Sequence, residues 1–294
     1  MKRSLLIACG LLPGLAFADT VINFHDASQG YSHYGGYNVL YYGQGAYSDP
    51  GNNVWNGFGK YGAPGSTDFY GAGNADSGHG SVPNGLVGNP YAWHSGTSAN
   101  GTGSFSPTAP ANAANATSSG ATTPVTLSLT YGFDNGADGS AVQGSPAWIL
   151  NHTAGVNNGA TGTFTLANIP AGVIATLFLY GANFDNTRGA SFTVSSGTAK
   201  NGITTTINTA TGAGTGPANA FVLGATYVEF DGVTPDVNGN ITGTWGAVSN
   251  PNSGLTGEGD FNGLQLVLTP IPEPSTMAMF GLGTALLLAF RRRK

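Results

Sequence analysis

Residues 173–183 read VIATLFLYGAN, apolar at nearly every position. A strand with one face in water alternates apolar and polar side chains, whereas a strand covered on both faces carries a continuous run. The segment therefore predicts a central, doubly covered strand, and its neighbours should be strands as well. Upstream, VTLSLTYGF at 125–133 alternates, with Val125, Leu127, Leu129 and Tyr131 on one face. TGTFTLANIPAG at 161–172 contributes Phe164 and Leu166, and AWILN at 147–151 follows a proline. Downstream come ASFTVSS, GITTTINT, AFVLG, TYVEFDGV, GNITGTWG and FNGLQLVLT, each bounded by Gly, Asn, Asp or Pro. Short strands with a turn signal roughly every 8–12 residues predict an all-β chain folded as a β-sandwich of jelly-roll type.

Composition agrees. Gly accounts for 48 of 294 residues, while only 8% are charged, the reverse of what long amphipathic helices require. With 15 Phe, 12 Tyr and four Trp there is apolar surface enough for a core. Residues 19–98 are aromatic and Gly-rich, with strands expected at Val21–Phe24 and Tyr37–Tyr42 and long loops beyond them. Residues 99–124, ANGTGSFSPTAPANAANATSSGATTP, form a low-complexity stretch that reads as a linker or long loop within the 19–271 body.

The two ends differ from the body. Lys2 and Arg3, an apolar stretch from Leu5 to Leu15, and Ala16-Phe17-Ala18 before Asp19 have the three parts of a secretory signal, residues 1–18, cut between Ala18 and Asp19. Leu6-Ile7-Ala8-Cys9 also fits a lipoprotein box. Cleavage before Cys9 would leave an apolar region of only Ser4 to Ala8, shorter than the roughly 7–15 residues a signal needs. With Cys9 in the discarded signal, the exported chain has no cysteine, which excludes disulfides, a thiol nucleophile and a thiolate zinc site. Of nine Lys and Arg, two lie in the signal and four at Arg291–Lys294; of 14 acids only Glu273 lies beyond 271. Residues 19–271 thus carry 13 acids against Lys60, Arg188 and Lys200, a formal charge of −10 that disfavours nucleic acid as a partner.

Ser275–Phe290 is a run of 16 uncharged residues, apolar all round as a helix, and Arg291, Arg292, Arg293 and Lys294 follow it. Its helical length of about 24 Å falls short of a ~30 Å hydrocarbon core, a gap met by snorkelling of Arg291 and local thinning. The expectation is a single transmembrane helix at 275–290, oriented by the basic cluster at 291–294 in the cytoplasm. Pro272-Glu273-Pro274 before it cannot enter a helix interior and forms an extended segment outside the bilayer.

Pro272-Glu273-Pro274, Ser275-Thr276, an apolar segment and a terminal Arg cluster together resemble the PEP-CTERM sorting signal of exported proteins in Gram-negative bacteria that make extracellular polysaccharide. The resemblance covers 272–294. It implies recognition in the inner membrane by an exosortase, transient anchoring, removal of the tail, and passage to the cell surface or matrix. Ile271 and Met277 stand where Val and Trp are more usual. The closing run FVLGATYVEFDGVTPDVNGNITGTW with EGDFNGLQLVL resembles the ends of galactose-binding-like jelly rolls. That similarity concerns the fold and brings no active site with it.

Candidate chemistry is sparse. The carboxylate pairs Asp134/Asp138, Asp231/Asp236 and Glu258/Asp260 all lie in Gly/Asn turns, where Asp caps backbone, so none stands out as a glycosidase acid/base pair. Asp236-Val-Asn238-Gly-Asn240 copies the opening of a calcium loop, but Ile241 and Ala247 occupy its Gly and Glu positions; an EF-hand is excluded and a looser calcium site braced by Glu229 or Asp231 is left open. Five histidines show no HExxH, and no G-x-S-x-G occurs. Tyr41, Tyr42, Trp55 and Trp93, in polar Gly/Asn surroundings, are candidate glycan-stacking rings or, equally, anchors for loops. The first expectation is a non-catalytic surface or biofilm-matrix protein. A carbohydrate-binding module that retains exopolysaccharide is the alternative, and an extracellular glycan hydrolase or lyase ranks last.

Overall fold

The computed structural model describes residues 18–26, 41–42, 44–48, 54–58, 94–95, 103–105, 115–117, 119, 121–136, 146–150, 152–182, 189–207, 220–248 and 258–272. The strands, in chain order, are β1 (Thr20–Asp26), β2 (Tyr41–Tyr42), β3 (Val54–Phe58), β4 (His94–Ser95), β5 (Gly103–Phe105) and β6 (Asn115–Ala116). Next come β7 (Thr122–Thr123), β8 (Thr126–Tyr131), β9 (Phe133–Gly136), β10 (His152–Asn157), β11 (Thr161–Ala167) and β12 (Val173–Tyr180). The last are β13 (Ala190–Val194), β14 (Thr198–Ala199), β15 (Tyr227–Val233), β16 (Ile241–Ala247), β17 (Glu258–Phe261) and β18 (Gly263–Pro270).

A seven-stranded sheet runs β14-β15-β12-β18-β1-β3-β2, and a six-stranded sheet runs β13-β16-β11-β8-β5-β4. Strands β17-β10-β9 form a third sheet, and β6 pairs with β7. Among the named strands, pairing is antiparallel except for β1 with β3. The first two sheets bury one face each in a common core: Ile22, Phe24, Leu177, Leu179, Val228, Leu264 and Leu266 from one side meet Leu127, Leu129, Phe164, Leu166, Phe192 and Trp245 from the other. Phe261 of β17 lies between, 4.8 Å from Trp245 and 6.1 Å from Phe164 by ring centroids. This is an all-β, multi-sheet chain consistent with a sandwich.

The apolar run has the expected place over Val173–Tyr180. β12 pairs with β15 on one side and β18 on the other, and Phe178 and Tyr180 on its second face join a separate buried cluster with Val21, Trp55, Ile149, Leu150 and Val267. Both faces are covered, which explains the absence of alternation.

Other expectations are corrected. AWILN is not a strand: Pro146–Ile149 forms a helical turn, for which Pro146 at the first position is suited, closed by Leu150 N–H to Pro146 O at 3.0 Å. AFVLG is a turn held by Thr226, whose Oγ1 accepts from Val222 N–H at 2.8 Å. GITTTINT contributes a bridge at Thr205 and the hydroxyl of Thr206, which caps Ala190 N–H at 2.9 Å, with no extended pairing. Within 99–124, β5 adds to the six-stranded sheet beside β8. Among the described residues no helix is long and apolar enough to cross a membrane; the segment 275–290 lies outside them.

Candidate functional site

The second face of the seven-stranded sheet carries the polar chemistry. Side chains from β1, β18, β12 and β15 that point away from the sandwich core line up there, and residues 44–48 cross above them. Between loop and sheet lies an open cleft of about 450 Å³, lined by Asp19, Tyr47, Thr176, Phe178, Lys200, Tyr227, Glu229, Asp231 and Thr269 among others.

The loop is fastened from below by an amide and a phenol buried in the sheet. Gln265 is fully buried; its Oε1 accepts from Tyr47 N–H at 3.0 Å and from the Tyr180 hydroxyl at 2.5 Å. Its Nε2 donates to Asn23 Oδ1 at 3.0 Å and to Tyr47 O at 3.3 Å. Ala46 N–H donates to the Tyr180 oxygen at 2.7 Å. Burial pushes the Tyr180 phenol well above its ordinary pKa, against the opposing pull of the Ala46 N–H. Gly45 is required for this approach, because a Cβ there would stand 2.0 Å from Gln265 Oε1.

Above this layer three rings run side by side: Tyr47 to Phe178 at 5.8 Å and Phe178 to Tyr227 at 6.0 Å. Carboxylates flank them. Asp19 accepts from Thr269 Oγ1 at 2.8 Å and from the Tyr47 hydroxyl at 3.1 Å. Lys200 Nζ lies 2.6 Å from Glu229 Oε1, and that hydrogen bond raises the lysine's pKa. Asp231 accepts from Thr176 Oγ1 at 3.3 Å. It reaches that position through a β-bulge: Leu177 pairs with Phe230 and Ala175 with Val233, so β15 has one residue too many, absorbed at Gly232 with φ of +68°.

Several candidates from the sequence are placed differently. Trp55 is no glycan platform: it is fully buried, 5.9 Å from Tyr180 and edge-on to His25 at 6.3 Å, because β3 lies parallel to β1 under the covering layer. Tyr41 and Tyr42 form β2, of which only the backbone is described; Trp93 and Asp138 lie outside the described residues. Asp236 binds its own loop: Oδ1 accepts from Asn238 N–H at 2.9 Å and Asn240 N–H at 2.8 Å, and Asn240 Nδ2 reaches Oδ2 at 3.4 Å. The Asn240 N–H is the main cause of this carboxyl's lowered pKa. Such bonds are the work of a turn, and Glu229 and Asp231 are engaged in the cleft instead. Asp260 is fully buried and accepts from Thr153 Oγ1 at 3.2 Å, a structural position for half of the Glu258/Asp260 pair. Among the described residues no group of three or more His, Cys, Asp or Glu could hold a metal ion. Tyr47, Phe178 and Tyr227 escaped notice in the sequence because nothing local distinguishes them from core rings; only the pairing of β12 with β15 brings two of them together.

The other candidate site is at the end of β18. That strand stops at Pro270, Ile271 N–H donates to Gly172 O at 2.8 Å, and Ala18 and Asp19 lie at the neighbouring end of β1. Pro272 is the last described residue; Glu273, Pro274 and Arg291, Arg292, Arg293 and Lys294 lie outside. Residues 270–294 match the PEP-CTERM protein-sorting motif. The PEP-CTERM match supports an exported protein that an exosortase-type enzyme recognises and processes at the membrane on the way to the cell surface. It spans the tail and leaves the body unassigned. No curated protein and no solved structure matches the chain.

Proposed function

We propose that this is a non-catalytic exported protein of the cell surface or extracellular polysaccharide matrix, its body a galactose-binding-like jelly roll. The observation that carries this reading is the PEP-CTERM motif at 270–294, which begins at the last residue of β18 in an all-β, multi-sheet body. The test is fractionation of the producing cells. Residues 19–271 should be recovered outside the inner membrane without the tail, and replacing Pro272, Glu273 and Pro274 by Ala should leave a larger, membrane-retained form. Wild-type protein that stays full length in the inner membrane would reduce the tail to an anchor.

A second reading is favoured by the cleft: a module that holds extracellular polysaccharide, with Tyr47 and Tyr227 offering ring faces and Asp19, Asp231 and Thr269 offering hydroxyl partners. Here the purified body should be retained by the producer's own polysaccharide, and Tyr227→Ala should abolish retention at a temperature where the variant is still folded. No retention on that polysaccharide sinks this reading and leaves the first intact.

A further inference from the structure

The sorting motif and the folded body share residues. The match begins at Pro270, which is also the last residue of β18, and β18 lies between β12 and β1 in the middle of the seven-stranded sheet. Ile271 is still tied to the fold through its N–H to Gly172 O at 2.8 Å. An extended chain advances at most about 3.6 Å per residue, and Glu273 is only two residues past Ile271 in the sequence. A single α-helix with its side chains is about 10–12 Å across. An enzyme element of that width gripping Pro272-Glu273-Pro274 has the end of the sheet within reach.

That end is built for contact. Four large hydrophobic side chains are exposed among the described residues, and two of them are here: Ile174, 38% exposed, and Ile271, 50% exposed. Thr269 pairs with Ile174 across β12 and β18, and Gly172, in a left-handed turn with φ of +75°, has open space where a Cβ would be. The one carboxylate at the adjoining end of β1, Asp19, is already engaged by Thr269 and Tyr47.

The geometry points to the edge formed by Gly172, Ile174, Thr269 and Ile271 as a docking surface for the exosortase-type enzyme that reads the adjacent motif. The folded body thereby takes part in its own sorting. This rests on the sorting reading given above, and the test separates the two. In cells that carry the processing enzyme, conversion of full-length to tailless protein is followed by pulse-chase for the wild type, for Ile174→Asp, for an eight-residue Gly-Ser insertion between Ile271 and Pro272, and for both changes combined. Ile174 lies outside the motif, and the insertion leaves the body untouched. Each single change should slow conversion several-fold, and the combination should be no slower than the insertion alone, because the insertion already detaches the surface from the motif. Conversion at the wild-type rate by either single variant, or faster conversion after the insertion, overturns the proposal. The Ala replacement of Pro272, Glu273 and Pro274 is the separate control: normal processing of that variant removes the sorting reading itself.

Discussion

Two glycines explain how a chain so rich in this residue still builds a dense core. Gly162 of β11 faces Trp245 of β16, and Gly243 of β16 faces Phe164 of β11. A Cβ at Gly162 would stand 2.3 Å from the Trp245 ring, and one at Gly243 would stand 2.2 Å from Phe164. Each large ring thus lies over the backbone of its cross-strand partner, and the two pairs are reciprocal. Gly162→Ala or Gly243→Ala should each cost about 1–3 kcal/mol by overpacking, read as a lower melting temperature. Gly246→Ala is the contrast, since its nearest neighbour would be Ala160 O at 3.7 Å, and it should be neutral. TGTFT at 161–165 and TGTWG at 242–246 gave no local sign of this, because the reason for each glycine lies on the other strand. A second residue-scale prediction concerns alkali. Burial raises the pKa of Tyr180, and burial followed by the charge of Glu229 raises that of Tyr227. A raised folded value means stability that is complete below pH ~10 and lost as the pH rises through the folded values, because the unfolded chain ionises first. Spectrophotometric titration should show these two phenols ionising after the exposed tyrosines, with the melting temperature falling over the same range. Ionisation of all tyrosines together at the ordinary value would contradict it.

At the scale of elements, legibility followed periodicity. β1, β8, β11, β12, β15, β16 and β18 are anchored by runs that alternate or are continuously apolar, and each was expected from its sequence. β3 was not. VWNGF has Val54, Trp55 and Phe58 but no alternation, with Asn56-Gly57 in its middle, and it lies alongside β1, where Asn56 Nδ2 donates to Asn23 O at 2.9 Å. The cleft was unreadable for the same reason: its rings and carboxylates come from four separated stretches, around residues 19, 47, 178 and 227–231, that only the folded sheet and its covering loop unite. The bulge in β15 offers a test of that register. Gly232→Ala meets no steric obstacle but keeps φ of +68°, so it should cost about 1–2 kcal/mol by chemical denaturation. Gly45→Ala should act on a different element, expelling Gln265 from its bonds to Tyr47. Amide exchange should then quicken at 46 and 47 while the β8/β11 amides stay protected; unchanged exchange would mean the loop is held by something else.

For the whole molecule, the decisive pairing is β1 with β18, with Thr20 opposite Leu268. Few contacts in a chain of 294 residues could span more of its sequence, and long-range pairings of this type form slowly. Because β18 also supplies one flank of β12, the seven-stranded sheet has no centre until the last strand arrives. Closure of that sheet therefore needs β18, whose last residue opens the sorting motif. The strand that completes the sheet is thus the one that leads into the sorting signal.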